Sequence, residues 1–290
     1  MIIIRLQGGL GNQMFQYALY QALKARGKDV KIDDILGYVE DKKRVQMLES
    51  TFGISYERAT EEESKDLLDM RRDPLNRLRR LLSGSRSKMR TEPPDGNFDP
   101  ELFDADDVYL NGYWQAEQYF ADAGVQRQLR IDFNQEPADT LRSQAAWDLF
   151  NKIRNTESVA MHIRRGDYVE PGFVEVYGDI CTEEYYRRAV DYILEKEPRA
   201  VFYVFSDDRK WVAEHFDGER FVITESEKPL SDKEDMLLMR TCKHNIIANS
   251  SFSWWSAWLS HYPDKQVVAP AKWLNTKNMT DIYTDRMVRL

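Results

Sequence analysis

A hydrophobic run near the middle of the chain leads directly into an imidazole and two adjacent guanidiniums. The segment reads His162-Ile163-Arg164-Arg165-Gly166-Asp167-Tyr168. A guanidinium keeps its charge and presents a planar fork of donors, so it matches phosphate oxygens in a bidentate way. Arg164 and Arg165 are therefore predicted to bind an anion, for which a diphosphate is well suited. Both arginines are also compatible with a solvated surface that pairs with acidic neighbours.

Polar residues end two further hydrophobic runs in the same half of the chain. Ser206-Asp207-Asp208 ends one run, and Asn249-Ser250-Ser251-Phe252 ends the other. In open parallel sheets, ligands bind at the edge where the carboxyl ends of the strands meet. There a carboxylate accepts hydrogen bonds from a ring N–H or a sugar hydroxyl, and small donors at a helix start suit phosphate oxygens. Ser206 or Asp207 is equally suited to cap the helix that follows.

A glycine-rich turn stands between the first hydrophobic run and a helical pattern. It reads Gly8-Gly9-Leu10-Gly11-Asn12-Gln13. Backbone N–H groups of such a turn approach a phosphate or a sugar at the helix N-terminus. Gly9 and Gly11 supply a G-x-G pair, but Met14 occupies the third glycine position of the dinucleotide fingerprint, and no P-loop Lys-Ser or Lys-Thr follows. The turn therefore predicts either a ligand contact or tight packing of strand on helix.

No metal site is predicted from the acidic residues, cysteines or histidines. Asp104-Ala105-Asp106 has the D-x-D form that can hold a divalent ion on a diphosphate, but it precedes its strand instead of ending it. The two cysteines and four histidines have neither the spacing of a zinc site nor that of a disulfide framework.

Composition narrows the class of protein. The 290 residues are 42% hydrophobic and 31% charged, which is typical of a folded chain with a large core. A net charge of −8 argues against nucleic acid as the main partner. The N-terminus reads as a buried strand, and no run approaches twenty apolar residues, so we expect a cytoplasmic protein without a secretory signal or membrane-spanning helix.

Strand and helix patterns alternate along the chain, which predicts an α/β fold of parallel sheets covered by helices. The expected strands lie at the N-terminus and at 29–33, 108–110, 158–163, 200–205, 221–223, 245–248 and 266–269. The economical division is into two lobes, 1–150 and 151–290. Trp254, Trp255 and Trp258 are expected in the core, because aromatic side chains in an apolar helix usually pack.

The segment 65–90 differs from the rest of the chain in charge. It contains nine basic and three acidic residues, a local excess of six positive charges, which leaves −14 on the remainder. Leucines are interleaved with the basic residues, so an amphipathic helix in peripheral contact with an anionic membrane is one interpretation of the segment. The pattern favours the other interpretation, a solvated helical insertion in the first lobe or a partly disordered loop.

Five ordered motifs resemble those of bacterial α-1,2-fucosyltransferases, glycosyltransferase family 11. They are Gly8-Gly9-Leu10-Gly11-Asn12-Gln13, Gly112-Tyr113-Trp114-Gln115, His162-Ile163-Arg164-Arg165-Gly166-Asp167-Tyr168, Phe205-Ser206-Asp207-Asp208 and His244-Asn245-Ile246-Ile247-Ala248-Asn249-Ser250-Ser251-Phe252-Ser253-Trp254-Trp255. The resemblance implies a GT-B fold, in which two Rossmann-like lobes face a cleft, the first on the acceptor side and the second binding a GDP-sugar. It also implies inverting, metal-independent transfer of L-fucose from GDP-β-L-fucose to the 2-hydroxyl of a galactoside in a surface glycan such as an O-antigen. No cofactor is implied beyond the donor substrate.

The same resemblance implies roles for individual residues. Arg165 would grip the diphosphate and stabilise the departing GDP in a metal-free site. Asn12 would reach across the cleft toward the fucosyl group or the β-phosphate. The implied binding residues are His162, Asp235 and Asp207 near the guanosine, Ser250 and Ser251 at the phosphates, and further Gly9, Gly11, Arg164, Asn249 and Phe252.

Several alternatives stay open at this point. Asp167 acts either as the base that activates the acceptor or as a partner that orients the arginines. A looser transition state, in which a fucosyl cation forms and the phosphate takes the proton, needs no protein base. Tyr113-Trp114-Gln115 is the segment expected near the acceptor. The competing functions are a transferase for another GDP-sugar or linkage and a non-catalytic protein that binds a nucleotide sugar.

Overall fold

The computed structural model describes residues 1–39, 44–224 and 230–290, apart from the side chains of Ser83 and Asp167. The chain divides into two units, Met1–Asn134 and Gln135–Leu290. Phe150 and Ile153 pack in a core with Leu237 and Leu238, and all four residues belong to the second unit.

The first unit contains one sheet of four parallel strands in the order β2-β1-β4-β3. The strands are β1 (Ile2–Arg5), β2 (Val30–Asp33), β3 (Met89–Thr91) and β4 (Val108–Asn111). The α-helices are α1 (Leu10–Ala25), α2 (Leu48–Phe52), α3 (Glu61–Leu67), α4 (Pro74–Ser83) and α5 (Ala123–Asp132). Three short 3-10 helices lie at Leu36–Tyr38, Pro100–Asp104 and Glu117–Phe120.

The second unit contains one sheet of six parallel strands in the order β10-β9-β8-β5-β6-β7. The strands are β5 (Glu157–Ile163), β6 (Ala200–Ser206), β7 (Phe221–Ile223), β8 (His244–Ile246), β9 (Val267–Ala269) and β10 (Met287–Arg289). The α-helices are α6 (Pro137–Thr140), α7 (Gln144–Arg154), α8 (Val174–Tyr177), α9 (Glu183–Lys196), α10 (Arg209–His215), α11 (Asp232–Thr241) and α12 (Ser251–Leu259), and Asp167–Val169 forms a 3-10 turn.

Alternating side chains of β5 and β6 bury both faces of this second sheet. Val159 and Met161 point to the core that also contains residues of α9 and α10. Ala160 and Tyr203 point to the opposite core, which α7 and α11 complete. A strand that is buried on both faces reads as a continuous hydrophobic run, as parallel sheets between helices require.

The predicted α/β class is confirmed, with one Rossmann-like parallel sheet in each unit, as the GT-B type requires. The strands β3 (Met-Arg-Thr) and β10 (Met-Val-Arg) were not predicted, because each contains an arginine and neither forms a hydrophobic run. Trp254, Trp255 and Trp258 lie in the core as expected. No helix among the described residues is long and apolar enough to cross a membrane.

Candidate functional site

Strand pairing in the second unit brings two polar segments side by side. Ile163 ends β5 in register with Ser206, which ends β6. The residues that follow, Arg164 and Arg165 on one side and Asp207 and Asp208 on the other, are therefore neighbours at the carboxyl edge of the sheet. In open α/β sheets ligands bind at this edge.

Each of the two arginines has its own carboxylate. Arg164 Nη1 lies 2.9 Å from Asp207 Oδ2, and Arg165 Nε lies 3.1 Å from Asp208 Oδ2. The backbone N–H of Arg165 also donates to Asp207 Oδ1 at 2.9 Å. Both guanidiniums remain about one third exposed, so the ion pairs orient them at a surface that a ligand can reach.

The second arginine is also held by an aromatic ring. The Arg165 guanidinium carbon lies 4.4 Å from the centre of the Trp211 ring, a cation–π distance. Asp208 is the N-cap of α10 and accepts the Trp211 backbone N–H at 3.1 Å. That hydrogen bond, reinforced by Arg165, lowers the pKa of the Asp208 carboxyl. The cap is therefore Asp208, instead of the Ser206 or Asp207 expected from sequence.

Glycine is required between the arginines and Asp167. A Cβ atom on Gly166 would lie 2.6 Å from Asp207 Oδ2, closer than any ordinary contact. A larger residue would therefore push the Asp207 carboxylate away from the first arginine. The side chain of Asp167 itself, predicted as base or orienting partner, lies outside the described residues.

His162 presents an unpaired ring nitrogen at the end of the same strand. Its side chain is only 8% exposed, and Nδ1 has no hydrogen-bond partner among the described residues. Burial, with a smaller contribution from Arg164, lowers the pKa of His162 to about 4. The ring is therefore neutral near pH 7 and lies 5.9 Å from the Phe252 ring. A buried polar atom without a partner marks a position where a ligand group can complete the hydrogen bonding.

The start of α12 contributes backbone donors. Ser250 is its N-cap and Ser251 its first residue. The first N–H groups of a helix have no partner within the helix and favour an anion. These two serines thus lie where phosphate oxygens would be expected, after the central strand β8.

Asn249 has a structural environment. It is 2% exposed, and its Nδ2 donates to the carbonyls of Tyr177 at 3.3 Å and Trp273 at 3.1 Å. Its Oδ1 accepts the Cys181 thiol at 3.4 Å. The side chain thus links the end of α8 to the loop at Trp273 and has little capacity left for a ligand.

Asp235 lies in the first turn of α11, a helix that packs against α12. Burial, reinforced by the negative charge of Asp232, raises the pKa of the Asp235 carboxyl to about 7. A raised pKa in a buried carboxyl is common at functional sites, although it does not identify a ligand by itself.

In the first unit, the glycine turn and the Gly112-Tyr113-Trp114-Gln115 motif come together. Asn12 Oδ1 accepts a hydrogen bond from Gln115 Nε2 at 2.7 Å. Gly8 has a φ of +78°, and a Cβ there would lie 2.6 Å from Asn12 Nδ2, so this glycine is required for packing. Gly9 precedes α1 as its N-cap, and a Cβ there would meet nothing within 4 Å. Space is therefore left open beside Gly9.

One group of potential metal ligands occurs among the described residues, at the opposite edge of the second sheet. Glu157, Glu197 and His244 offer ligand atoms within 4.8 Å of one another. However, Lys243 Nζ already pairs with Glu157 at 2.8 Å, and His244 Nδ1 accepts the Gln266 backbone N–H at 3.0 Å. The ring proton is therefore on Nε2, which makes that atom a donor and unsuited to bind a cation.

The D-x-D segment has other partners. Asp104 ends the 3-10 helix Pro100–Asp104, and Asp106 pairs with Lys28 at 3.1 Å. Sequence reasoning also missed the roles of Asp208 and Trp211. The sequence carried a signal for these roles. Asp208 follows a predicted strand and stands three positions before Trp211, which is the spacing between an N-cap and the backbone N–H that it accepts.

Comparison with known proteins agrees with these motifs. The model of Glycosyl transferase family 11 matches residues 102–288. The O-antigen biosynthesis glycosyltransferase WbnK of Escherichia coli is 33% identical over 305 residues, which cover 98% of this chain and 99% of that protein. An alpha-1,2-colitosyltransferase of Escherichia coli is 33% identical over 307 residues, which cover 100% of this chain and 98% of that protein.

Two further matches are partial or distant. Galactoside alpha-(1,2)-fucosyltransferase 1 of Oryctolagus cuniculus is 28% identical over 145 residues, 47% of this chain and 38% of that protein. A solved structure of POFUT1 in complex with GDP covers 93% of this chain and 98% of its own at 13% identity, with a TM-score of 0.43. The family assignment rests on the first matches, which span well over half of the chain, and by them the chain belongs to glycosyltransferase family 11.

Proposed function

We propose that this chain transfers L-fucose from GDP-β-L-fucose to the 2-hydroxyl of a galactoside, with inversion and without a metal ion. The observation that carries the proposal is the pair of guanidiniums at the end of β5, each held by a carboxylate that follows β6. A diphosphate needs fixed cationic donors, and preorganised donors stabilise the charge that develops on a leaving group.

The parts of the donor are assigned by their chemistry. The phosphates fit Arg164, Arg165 and the first amides of α12, because these groups only donate hydrogen bonds. Guanine offers an N–H edge that a carboxylate accepts, which is the role proposed for Asp235, while neutral His162 supplies its unpaired Nδ1. Asp207 is proposed to act through Arg164 instead of contacting guanosine, since that arginine and the Arg165 amide already occupy its oxygens.

The acceptor is proposed to be a galactose-terminated glycan of a surface polysaccharide such as an O-antigen. Relatives named for O-antigen synthesis and for galactoside fucosylation support this class. In the reaction the 2-hydroxyl oxygen bonds to C1 of fucose, the bond between C1 and the β-phosphate oxygen breaks, and the hydroxyl proton is lost. GDP leaves with the electron pair of the broken bond.

A second donor is favoured by a specific observation, the 33% identity to an alpha-1,2-colitosyltransferase over the whole chain. Colitose is fucose without its 3-hydroxyl. A site that hydrogen-bonds this hydroxyl rejects the deoxy sugar by a factor of roughly 10⁴, whereas an apolar wall disfavours the sugar with the hydroxyl by only about 10². The ratio of kcat/KM for the two GDP-sugars therefore separates the two candidates.

The test uses the purified chain with GDP-fucose, GDP-colitose and a panel of β-galactosides, with and without EDTA. We expect GDP release equal to product formed, an α-1,2 linkage by NMR, and no effect of EDTA. Higher kcat/KM for GDP-colitose would select the second donor. Absence of both transfer and GDP release across the panel would refute the enzyme assignment in favour of a binding protein.

Asp167 is proposed as the candidate base, and Asp167→Asn tests it. If this carboxylate removes the acceptor proton, kcat falls by roughly 10²- to 10⁴-fold, and the acidic limb of the kcat profile disappears. Near-normal kcat would show that the phosphate oxygen or solvent takes the proton. GDP affinity serves as the control, since a base that touches only the acceptor leaves it unchanged.

A further inference from the structure

Helix α4 is attached to the first unit by its polar side. Its four leucines face outward, with Leu75 80%, Leu78 55%, Leu81 78% and Leu82 78% exposed. The partly buried side chains of the helix are those of Asn76, Arg79 and Arg80. Ordinary surface helices have the opposite arrangement, because they bury an apolar stripe against the core.

The contacts of α4 explain why it lies this way. Asp73 caps its start, accepting the Asn76 N–H at 3.0 Å. Arg80 donates to the carbonyls of Asp69 at 2.8 Å and Arg71 at 2.6 Å, and Arg79 pairs with the Asp69 carboxylate. Arg79 and Arg80 therefore hold the helix in place through polar contacts, and none of these contacts involves a leucine.

An exposed apolar row of this kind is unfavourable in water. Each leucine that moves out of water gains about 2 kcal/mol, and a helix of 10 residues is marginal without tertiary packing. Contiguous apolar patches on otherwise polar surfaces mark interaction sites. The row on α4 thus requires an occupant that is apolar where it meets the leucines.

Positive charge surrounds the same helix. Arg72, Arg77 and Arg86 are exposed. The ion pairs found near α4 in the described part of the chain involve Arg71, Arg79 and Arg80 instead. A hollow of about 290 Å³ also lies beside the arginine side of α4. Its lining consists of five basic residues, Lys65, Arg71, Arg79, Arg86 and Lys88, together with Asp66, Asp69 and Asn76. The segment 65–90 carries six excess positive charges on a chain whose net charge is −8, so an anionic surface attracts this segment and repels the rest.

We infer that α4 and the basic residues around it are the docking surface of this chain for an anionic lipid bilayer. The leucines enter the boundary between headgroups and acyl chains, and the arginines contact headgroup phosphates. A second protein is the weaker fit, because four leucines cover much less than the ~800 Å² per partner of a standard interface. This inference is independent of the sugar that the chain transfers.

Flotation with vesicles of defined composition tests the inference. We expect the full chain to float with phosphatidylcholine vesicles that contain about 30 mol % phosphatidylglycerol, and to remain in the soluble fraction with phosphatidylcholine alone. Raising the salt concentration should release it, since surface charges are screened. Equal recovery in the soluble fraction with both vesicle types would overturn the inference.

Matched variants test whether the leucines of α4 bind the vesicles or whether any exposed apolar residue does so. Leu78→Asp and Leu82→Asp should each lower the partition coefficient by about tenfold or more, whereas Ile131→Asp, at an equally exposed position of α5, should not. Arg77→Gln should lower it about fivefold, and Arg127→Gln on α5 is its control. Unchanged melting temperatures show that the variants fold.

Two further outcomes are decisive. Transfer to a soluble acceptor should be the same in Leu78→Asp as in the parent chain, because α4 holds no group of the proposed site. In the absence of lipid, we expect sedimentation of the parent chain to show no association of two copies through α4. A dimer that Leu78→Asp dissociates would show that a second copy, and no membrane, covers the leucines.

Discussion

Arg165 has the most constrained side chain of the candidate site. Its Nε pairs with Asp208 at 3.1 Å, its guanidinium lies over Trp211, and its backbone N–H donates to Asp207 at 2.9 Å. A side chain that is fixed in this way loses little entropy when a ligand binds. Arg164 pairs with Asp207 at 2.9 Å and lies 5.8 Å from the Tyr168 ring centre.

Arg165→Ala is expected to lower kcat by about 10²- to 10³-fold, because removing a preorganised donor to the leaving group costs this much. Arg165→Lys should recover only part of the loss, since an ammonium lacks the planar fork. Arg187→Ala is the matched control, because Arg187 also pairs with a carboxylate and lies over an aromatic ring, that of Phe216, but on α9. Steady-state kinetics and melting temperatures check this, and full activity of Arg165→Ala would refute the central assignment.

At the scale of elements, the site is built from strand ends and helix starts. The carboxyl end of β5 supplies the arginines, that of β6 the carboxylates, and the start of α12 the backbone donors. In the first unit the turn between β1 and α1 is the equivalent position. Parallel strands place all their carboxyl ends on one edge, so residues far apart in sequence become neighbours.

The turn before α1 allows a comparison of two adjacent glycines. Gly8→Ala should lower the free energy of unfolding by about 1 kcal/mol or more, because Gly8 has a positive φ and the added Cβ would collide with Asn12. Gly9→Ala should leave the melting temperature unchanged, since space is open there. If backbone at Gly9 approaches a substrate, KM rises in Gly9→Ala alone. Unchanged kinetics in this variant would remove Gly9 from the site.

The buried carboxyl of α11 predicts a pH dependence. The pKa of Asp235 is raised to about 7, so the folded chain holds its proton more tightly than the unfolded chain, where the pKa is about 3.9. The free energy of unfolding therefore decreases as the pH rises from about 4 to about 7. Asp235→Asn removes this loss, so it should stabilise the chain by a few kcal/mol more at pH 8 than at pH 4.

Urea unfolding at the two pH values measures this difference. The variant should also bind GDP more weakly at pH 8, where a carboxylate is the better acceptor for guanine N–H groups. An equal effect of Asp235→Asn on stability at both pH values would show that the carboxyl titrates normally. Equal GDP affinity in both proteins would show that Asp235 does not contact the guanine ring.

At the scale of the whole molecule, each unit repeats the same plan of a parallel sheet with helices around it. The chain as a whole is acidic, with −8 charges, while its strongest basic segment lies in the first unit and its arginine pair in the second. The acidic background disfavours nonspecific anion binding, so affinity for a nucleotide diphosphate depends on local donors.

A ligand that binds only the folded chain stabilises it by mass action. GDP at a hundred times its Kd should therefore add about 2.7 kcal/mol to the free energy of unfolding, and the melting temperature should rise by several degrees. UDP should have a smaller effect at equal concentration, because it offers the same diphosphate without the guanine edge. Equal shifts with GDP and UDP would refute a guanine-specific site while leaving the diphosphate site in place.

Much of the fold was readable from hydrophobic runs. The segments 158–163, 200–205 and 221–223 are strands within one residue of the prediction, because runs of β-branched and aromatic residues are typical of buried parallel strands. Strands β3 and β10 were missed because no local sequence pattern marks them. They are strands because they pair with β4 and β9.

The candidate site likewise has features that the sequence predicted and features that it did not. Residue type alone determined that Arg164 and Arg165 are permanent cations after a strand and that His162 stands beside them, and the ordered motifs identified the family. Only the tertiary structure decided the partners. It placed Asp208 and Trp211 on Arg165, turned Asn249 into a link between loops, and exposed the leucines of α4. The reason is physical: charge and hydrogen-bonding capacity belong to a residue, whereas contact and burial depend on which strands pair and which helix faces meet the core.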